Sequence, residues 1–254
     1  MRDYRPEARS ISLDPGDDRS ISFYPAIRSH IFILGIIPAL LTGALMTLLL
    51  TVIAVGDGII IGTLVGIGRV VHNRISRAIC GAYVDFFRGT PLLVQIFMIH
   101  FGLPPILGRL LNRPEPVPLD PFFSAILALS INSGAYVAEI VRAGIQSIDR
   151  GQMEAARSLG MTYGQAMRLV ILPQAMKRII PPLGNEFIAM LKDSSLVSII
   201  GMEELVRKGQ IIVTRSYRPE DTWFTVGVVF LFMTLPFTRL VAYLERRLRT
   251  GDQA

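Results

Sequence analysis

The stretch that decides the fold runs from Asp149 to Pro182 and reads DRGQMEAARSLGMTYGQAMRLVILPQAMKRIIPP. It is polar and rich in turn-forming residues, whereas the chain on either side of it is strongly apolar. Asp149 is predicted to cap a short helix, and Gly160 stands where the chain can turn past that helix. Thr162 and Gln165 have the spacing of a capping box, which predicts a second short helix. We therefore expect a helix-turn-helix knob (residues 149–182) outside the bilayer.

Two pairs of residues with proline predict how the second helix of the knob ends. Leu172-Pro173 is expected to kink or terminate it, because proline lacks the N–H donor that a helix interior needs. Pro181-Pro182 is then expected to close the interval before the next apolar segment begins.

The composition indicates an all-α polytopic membrane protein. Of 254 residues, 51% are hydrophobic and 18% charged, and the mean hydropathy is +0.47, which is too apolar for an ordinary soluble domain. The net charge of +6 comes from basic residues scattered between apolar segments, so no nucleic-acid partner is expected. One cysteine and three histidines without ligand spacing make a disulfide or a structural metal site unexpected.

Five membrane-spanning helices are predicted from the length of the apolar segments. The chain from residue 31 to 71 is ambiguous: it fits two short crossings, or a surface-lying lead-in followed by one long helix, which we favour. A sixth crossing by residues 31–55 stays open. The predicted organisation is a polar tail at 1–30, a transmembrane domain at 31–248 with spans at about 44–71, 82–103, 122–148, 183–205 and 222–244, and a C-terminal tail at 249–254.

Several polar residues fall inside these spans, where they are costly and therefore candidates for function. Asp57 lies between two glycines and is expected to face protein or water. Arg88 is expected to reach the membrane surface. Glu139 and Arg142, three positions apart, are expected to pair on one helical face. The fourth span adds polar residues that share one side of a helix, namely Glu186, Asp193 and Ser194.

The distribution of lysine and arginine predicts the orientation. Twelve such residues lie in the segments on the side of the knob, against six in the opposite loops. The knob and the C-terminus are therefore expected to be cytoplasmic. Five spans then place the N-terminal tail outside, although its five arginines would have to cross the membrane.

The knob resembles a known family. Glu154-Ala155-Ala156, followed by Gly160 and later by Leu172-Pro173, is similar to the EAA loop of permease subunits of ATP-binding cassette importers. Val170 stands where the family often has isoleucine. FFRGTPLLVQ at 86–95, GAYVAEIVRAGIQSI at 134–148 and NEFIAMLKDSSLVSIIG at 185–201 look like the branch that imports polar amino acids. The resemblance covers roughly residues 47–247.

This resemblance implies a type I importer permease of about five transmembrane helices in the inner membrane. It implies a second permease subunit, identical or similar, a pair of cytoplasmic ATPase subunits, and an extracytoplasmic solute-binding protein. By this resemblance, the small alanines of the knob would let its first helix closely approach a groove of the ATPase. The residues that would couple the knob to the ATPase are Glu154, Ala155, Ala156, Gly160, Leu172 and Pro173. No phosphate-cradling loop occurs in this sequence, so no cofactor is expected here, and ATP and Mg²⁺ are expected on the partner ATPase.

The polar faces of the third and fourth spans are the candidate path for an amino acid. Carboxylates can bind the α-ammonium group, and Lys192 or free backbone N–H groups can meet the carboxylate. The surplus of acidic over basic residues in these spans favours a cationic cargo. The candidate residues are Ser133, Glu139, Glu186, Lys192, Asp193 and Ser194. An ion-coupled secondary transporter, with Glu139 or Asp193 as relay, and a membrane-embedded enzyme are the alternatives.

Overall fold

The computed structural model describes residues 18–71 and 73–249, without the side chains of residues 18–28 and 249. The first 17 residues of the predicted N-terminal tail, His72 and the C-terminal tail beyond Arg249 lie outside the described residues. The described residues form helices that are joined by turns and short loops. Its α-helices are α1 Asp18–Val70, α2 Arg74–Gly89, α3 Leu92–Phe97, α4 Leu103–Leu110, α5 Pro121–Gln146, α6 Arg150–Ser158, α7 Tyr163–Ala166, α8 Leu172–Asp193, α9 Leu205–Ser216 and α10 Pro219–Arg249.

Two π-helical segments join neighbouring helices without a break. Met98–Gly102 connects α3 to α4, and Met167–Ile171 connects α7 to α8. A 3₁₀ segment, Ser194–Ile200, follows α8. The two π-helical segments let the backbone stay helical just before Pro104 and Pro173, which would otherwise interrupt it.

Four helical stretches of the described chain are long and apolar enough to cross a membrane: Ser29–Val70, Leu92–Leu110, Pro121–Gln146 and Pro219–Leu248. The all-α membrane class is thereby confirmed. α8 has 22 residues, which also suffices for a crossing, but its charged residues set it apart from these four. Its membrane placement stays a prediction.

The first helix is longer than predicted. α1 has 53 residues, roughly 80 Å at 1.5 Å per residue, and neither Pro38 nor Gly56-Asp57-Gly58 interrupts it. The expected break before Ala44 is therefore wrong. The reason is tertiary packing, because the segment before residue 44 buries Ile36 and Leu40 against α9 and α10.

The predicted second span, 82–103, is also misplaced. Asn73 caps α2 by accepting a hydrogen bond from the N–H of Ile75, and that helix stops at Gly89. Pro91 is extended, and the apolar helix begins only at Leu92. It continues to Leu110, through part of the segment expected to be a loop, because the π-helical segment absorbs the irregularity before Pro104 and Pro105.

The region after the knob differs in three ways from its prediction. α8 runs through Pro181 and Pro182, which do not close the interval. The predicted span 183–205 ends as a helix at Asp193 and turns at Gly201, whose φ of +85° suits glycine. α9 then occupies much of the interval between the predicted fourth and fifth spans, because the buried carboxylate of Glu204 caps it by accepting from the N–H groups of Val206 and Arg207.

α5 lies at the centre of the bundle, and a stripe of glycines in α1 packs against it. Gly58, Gly62 and Gly66 recur every four residues and therefore share one helical face. A Cβ added at Gly62 would lie 2.7 Å from the carbonyl oxygen of Gly134, and one at Gly66 would lie 2.8 Å from that of Ala138. Since only glycine permits this approach, the stripe fixes the distance between α1 and α5.

Candidate functional site

The first knob helix, α6, is fixed at both ends by local hydrogen bonds. The Oδ1 of Asp149 accepts from the N–H of Gly151 at 2.7 Å. At the other end the N–H of Met161 donates to the carbonyl of Ala156, and the N–H of Gly160 donates to that of Arg157. This is a Schellman motif, and its left-handed residue is Gly160, with φ +88°. The predicted cap and the predicted turn are both confirmed.

The second knob helix begins with the predicted capping box. The N–H of Gln165 donates to the Oγ1 of Thr162 at 3.3 Å, and the N–H of Thr162 donates to the Oε1 of Gln165 at 2.9 Å. Leu172-Pro173 does not end this helix. Proline is tolerated there because it lies in the first turn of α8, directly after the π-helical segment.

The exposed surface of the knob differs from its prediction at one alanine. Glu154 and Ala155 are exposed, but Ala156 is only 4% exposed and packs inwards. Within the described chain the carboxylate of Glu154 has no hydrogen-bonding or ionic partner. Leu159 is 82% exposed beside it, so α6 offers a carboxylate, a small residue and a large apolar residue to a binding partner.

Glu139 lies at the centre of an arginine cluster. Its Oε2 accepts from Arg69 Nη1 at 2.6 Å and from Arg142 Nε at 3.0 Å, and its Oε1 accepts from Arg142 Nη2. The expected pair with Arg142 is therefore present. Arg88 has a counter-charge and an aromatic contact: its Nη1 lies 3.9 Å from Glu139, and its guanidinium lies over the ring of Tyr136.

Two further carboxylates each accept a hydrogen bond from a serine of α5. Ser133 is fully buried and donates to Glu186 Oε1 at 3.0 Å, which links α5 to α8. Ser130 donates to Asp57 Oδ2 at 3.1 Å, which links α5 to α1. Asp57 also lines an apolar groove of about 290 Å³. Both carboxylates thus face protein on at least one side.

The last three candidates of the fourth span point in different directions. Lys192 and Asp193 are exposed at the end of α8. Ser194 is buried and its hydroxyl donates to the carbonyl of Leu191, so its hydroxyl proton is used within its own helix. The structure therefore brings Ser133 and Glu186 together but separates them from Ser194.

The chain matches a protein family over most of its length. Residues 58–250 fit the family described as binding-protein-dependent transport system inner membrane component. The chain belongs to this family. The importer-permease family expected from the knob is thereby confirmed, and so is its inner-membrane, multi-pass character.

Two named permeases resemble this permease closely. The glutamine transport system permease protein GlnP of Escherichia coli strain K12 is 39% identical over 213 residues, which is 84% of this chain and 94% of that protein. The arginine transport system permease protein ArtQ of Bacillus subtilis strain 168 is 37% identical over 216 residues, covering 85% and 95%.

Solved structures share the fold of the permease. The crystal structure of an amino acid ABC transporter with histidines matches with a TM-score of 0.76 and 43% identity, covering 83% of this chain and 94% of that one. An inward-facing structure of the MetNI methionine ABC transporter matches with a TM-score of 0.69. Its identity of 22% supports the fold alone, over 84% of this chain and 98% of that one.

The permease also has buried polar contacts that the sequence did not reveal. Gln95 is 2% exposed, and its Nε2 donates to the carbonyl groups of Phe87 and Thr90, which holds the break between α2 and α3. Its Oε1 accepts from Asn132 of α5. Glu204 was missed too, although an acid directly before the first residue of α9 is a recognisable capping signal.

Proposed function

We propose that this chain is the transmembrane permease subunit of an ATP-driven importer of polar amino acids. The observation that carries the proposal is α6, an exposed helix fixed by caps and placed between α5 and α8, the helices joined by the bond from Ser133 to Glu186. The similarity to glutamine and arginine permeases supports amino-acid cargo. The acids among the candidate path residues favour a cationic or strongly polar member of that class.

The knob is the proposed contact with the ATPase. Ala155 would allow close approach, Leu159 would fill an apolar pocket, and Glu154 would pair with a cation of the groove. Ala156 contributes differently, because it packs inside the knob and keeps α6 close to the rest of the chain. The full assembly would contain an ATPase pair, a second permease subunit, identical or similar, and an extracytoplasmic binding protein.

The proposed mechanism is a rigid-body switch. ATP binding would close the ATPase subunits and move the docked knob, which would rotate α5 and α8 and change the side to which the path opens. ATP and Mg²⁺ would be bound by the ATPase, and this chain would hold no cofactor. The knob and the C-terminus would be cytoplasmic, and the N-terminus extracytoplasmic.

The bond between Ser133 and Glu186 marks the proposed cargo path. The carboxylate of Glu186 is half-buried and could exchange its serine for the ammonium group of an amino acid. Lys192 and Asp193 are exposed nearer the outer end of the same helix, where they could meet cargo first. Glu139 would act on the path through its arginines, since its own charge is already bonded.

The test is uptake in proteoliposomes that contain the permease, its ATPase and its binding protein. Radiolabelled glutamine, arginine and histidine should be taken up only with internal ATP. Uptake that persists without ATP but with a proton gradient would instead identify an ion-coupled transporter.

Replacing Ala155 by tryptophan tests the docking surface. Ala155→Trp should abolish uptake and release the ATPase during purification, because a large side chain cannot approach a groove closely. Ala242→Trp places the same side chain on an exposed position of α10 and should transport normally. Normal uptake by Ala155→Trp would contradict the docking role of α6.

A further inference from the structure

A cavity of about 390 Å³ lies between α5, α8 and the end of α2, and two residues of the knob, Arg178 and Pro182, line it. Its wall contains Arg88, Glu139 and Arg178 as charged residues, together with Tyr136 and small or apolar residues. None of the proposed steps above uses this cavity. It is large enough for the backbone of an amino acid and part of its side chain.

The charges around this cavity do not balance. Arg69, Arg88 and Arg142 surround the single carboxylate of Glu139, and Arg178 also lines the cavity, so positive charge is in excess there. Arg69 and Arg142 hydrogen-bond to that carboxylate, whereas Arg88 is 3.9 Å away and makes no hydrogen bond within the described chain. Arg88 is therefore a donor without an acceptor that borders an accessible cavity.

The position of Arg88 is nevertheless fixed. Its guanidinium carbon lies 5.3 Å from the centre of the Tyr136 ring, so a cation–π contact holds the group at the cavity wall. A guanidinium presents several N–H groups in a planar fork that fits a carboxylate. A group of this kind, held in place and lacking an acceptor, is suited to binding an oxyanion.

The cavity continues the face that carries the Ser133–Glu186 bond. Ser133, Ile140 and Ser147 are seven positions apart on α5 and share one side of that helix. Glu186, Pro182 and Arg178 are four positions apart on α8 and also share a side. A carboxylate thus lies at one end of this face and guanidinium groups lie at the end nearer the knob.

We propose that this cavity is a second cargo station, in which Arg88 binds the α-carboxylate of the amino acid on the cytoplasmic half of the path. The inference rests on the proposed function. Its two sides are formed by α5 and α8, the helices that enter and leave the knob, so a movement of the knob would change the width of the station. An apolar lining around the guanidinium strengthens the bond to a carboxylate.

The first experiment measures equilibrium binding of a radiolabelled amino acid to the purified permease–ATPase complex without the binding protein. The probe is whichever of glutamine, arginine and histidine the unaltered complex transports, compared with its α-carboxamide. Arg88→Gln should weaken binding of the amino acid about tenfold, as expected for one lost charge-assisted hydrogen bond, and should change carboxamide binding little. Arg239→Gln removes an exposed arginine of α10 and is the control.

A second pair of variants keeps Arg88 in place. Ala143 is exposed in the cavity wall, so Ala143→Glu would offer Arg88 an internal carboxylate, whereas Ala143→Gln has nearly the same size without the charge. The glutamate variant should bind the amino acid about tenfold more weakly than the glutamine variant. Equal binding by the two would contradict an oxyanion station.

Vesicles of two lipid compositions distinguish the two possible sources of the bound oxyanion, which are the cargo carboxylate and a lipid headgroup. Uptake is repeated in vesicles of phosphatidylcholine alone and in vesicles that also contain phosphatidylglycerol. A defect of Arg88→Gln in both supports cargo binding, whereas a defect only with phosphatidylglycerol assigns the cavity to a lipid headgroup and overturns the proposal. Unaltered complex that transports the amino acid but does not bind it also overturns it. Failure of the unaltered complex to transport any amino acid contradicts the proposed function instead.

Discussion

The knob and the α1–α5 interface both depend on glycine, but for different physical reasons. Gly160 is needed for its backbone conformation, since its φ is +88° and a Cβ there would meet open space. Gly62 has an ordinary helical conformation, yet a Cβ there would lie 2.5 Å from a side-chain carbon of Val137. A local turn requires glycine at position 160, and close packing of a neighbouring helix requires it at position 62.

The glutamates of the two regions also differ in their bonding partners. Glu154 is exposed on the knob without a partner in the described chain, whereas Glu139 is bonded to two arginines within the bundle. An unpartnered exposed carboxylate is available to another protein. A carboxylate surrounded by arginines holds its own helices together, and its removal leaves several positive charges uncompensated.

The largest expected effect comes from Glu139→Gln. It would remove the negative charge that Arg69 and Arg142 share and replace one acceptor oxygen by an NH₂ group, which should destabilise the permease by about 2 kcal/mol, less than for a fully buried pair because the cluster is partly exposed. Thermal unfolding of the purified permease without its ATPase measures the loss. The matched change Glu154→Gln on the knob should leave the unfolding temperature unaltered. Equal shifts in both variants would remove the distinction between the two glutamates.

Replacing a glycine of each region by alanine should give the next effect. Gly62→Ala would force its methyl group against Val137 and the carbonyl of Gly134, which should cost about 1–2 kcal/mol. Gly164→Ala adds a methyl group into open space in a knob helix and should be neutral or slightly stabilising. Thermal unfolding measures the loss of stability in both variants. A neutral Gly62→Ala would show that α1 and α5 can separate slightly at no cost.

Gly160→Ala should affect the knob alone. The left-handed conformation costs a residue with a Cβ about 1 kcal/mol, so α6 should lose its fixed end while the bundle stays intact. We expect normal insertion and normal recovery of the permease, together with reduced ATP-dependent uptake. Gly160→Pro should abolish uptake. Normal uptake and normal complex recovery in the proline variant would exclude a coupling role for this turn.

The smallest expected effect concerns the capping box. Thr162→Ala removes the acceptor for the N–H of Gln165 and should weaken the second knob helix by about 0.5–1 kcal/mol. Hydrogen exchange of the knob amides should accelerate, with little change in the bundle. Thr162→Ser retains the acceptor and is the control. Faster exchange throughout the bundle would show that the two regions unfold together.

The features predicted correctly are those that local chemistry determines. Asp149, Gly160 and the pair Thr162 and Gln165 act on backbone groups within a few residues, so their roles follow from spacing along the chain. The pair of Glu139 with Arg142 was predictable for the same reason, because residues three apart are neighbours on any helix.

The features that were missed depend on partners distant in the chain. The contacts of Arg88 with Glu139 and Tyr136 were not predicted, because both residues lie far from Arg88 along the chain. Pro181 and Pro182 were expected to end a helix that tertiary packing carries past them. The inward direction of Ala156 likewise depends on tertiary packing.

The sequence by itself determined the membrane class, the knob with its caps, and the importer family that the knob indicates. These follow from composition and from contacts across one or two helical turns. Only the tertiary structure decided which helices share the glycine interface and which arginines surround Glu139. These contacts depend on which helix faces pack together. A period of 3.6 residues shows which residues share a face, but not which helix packs against that face.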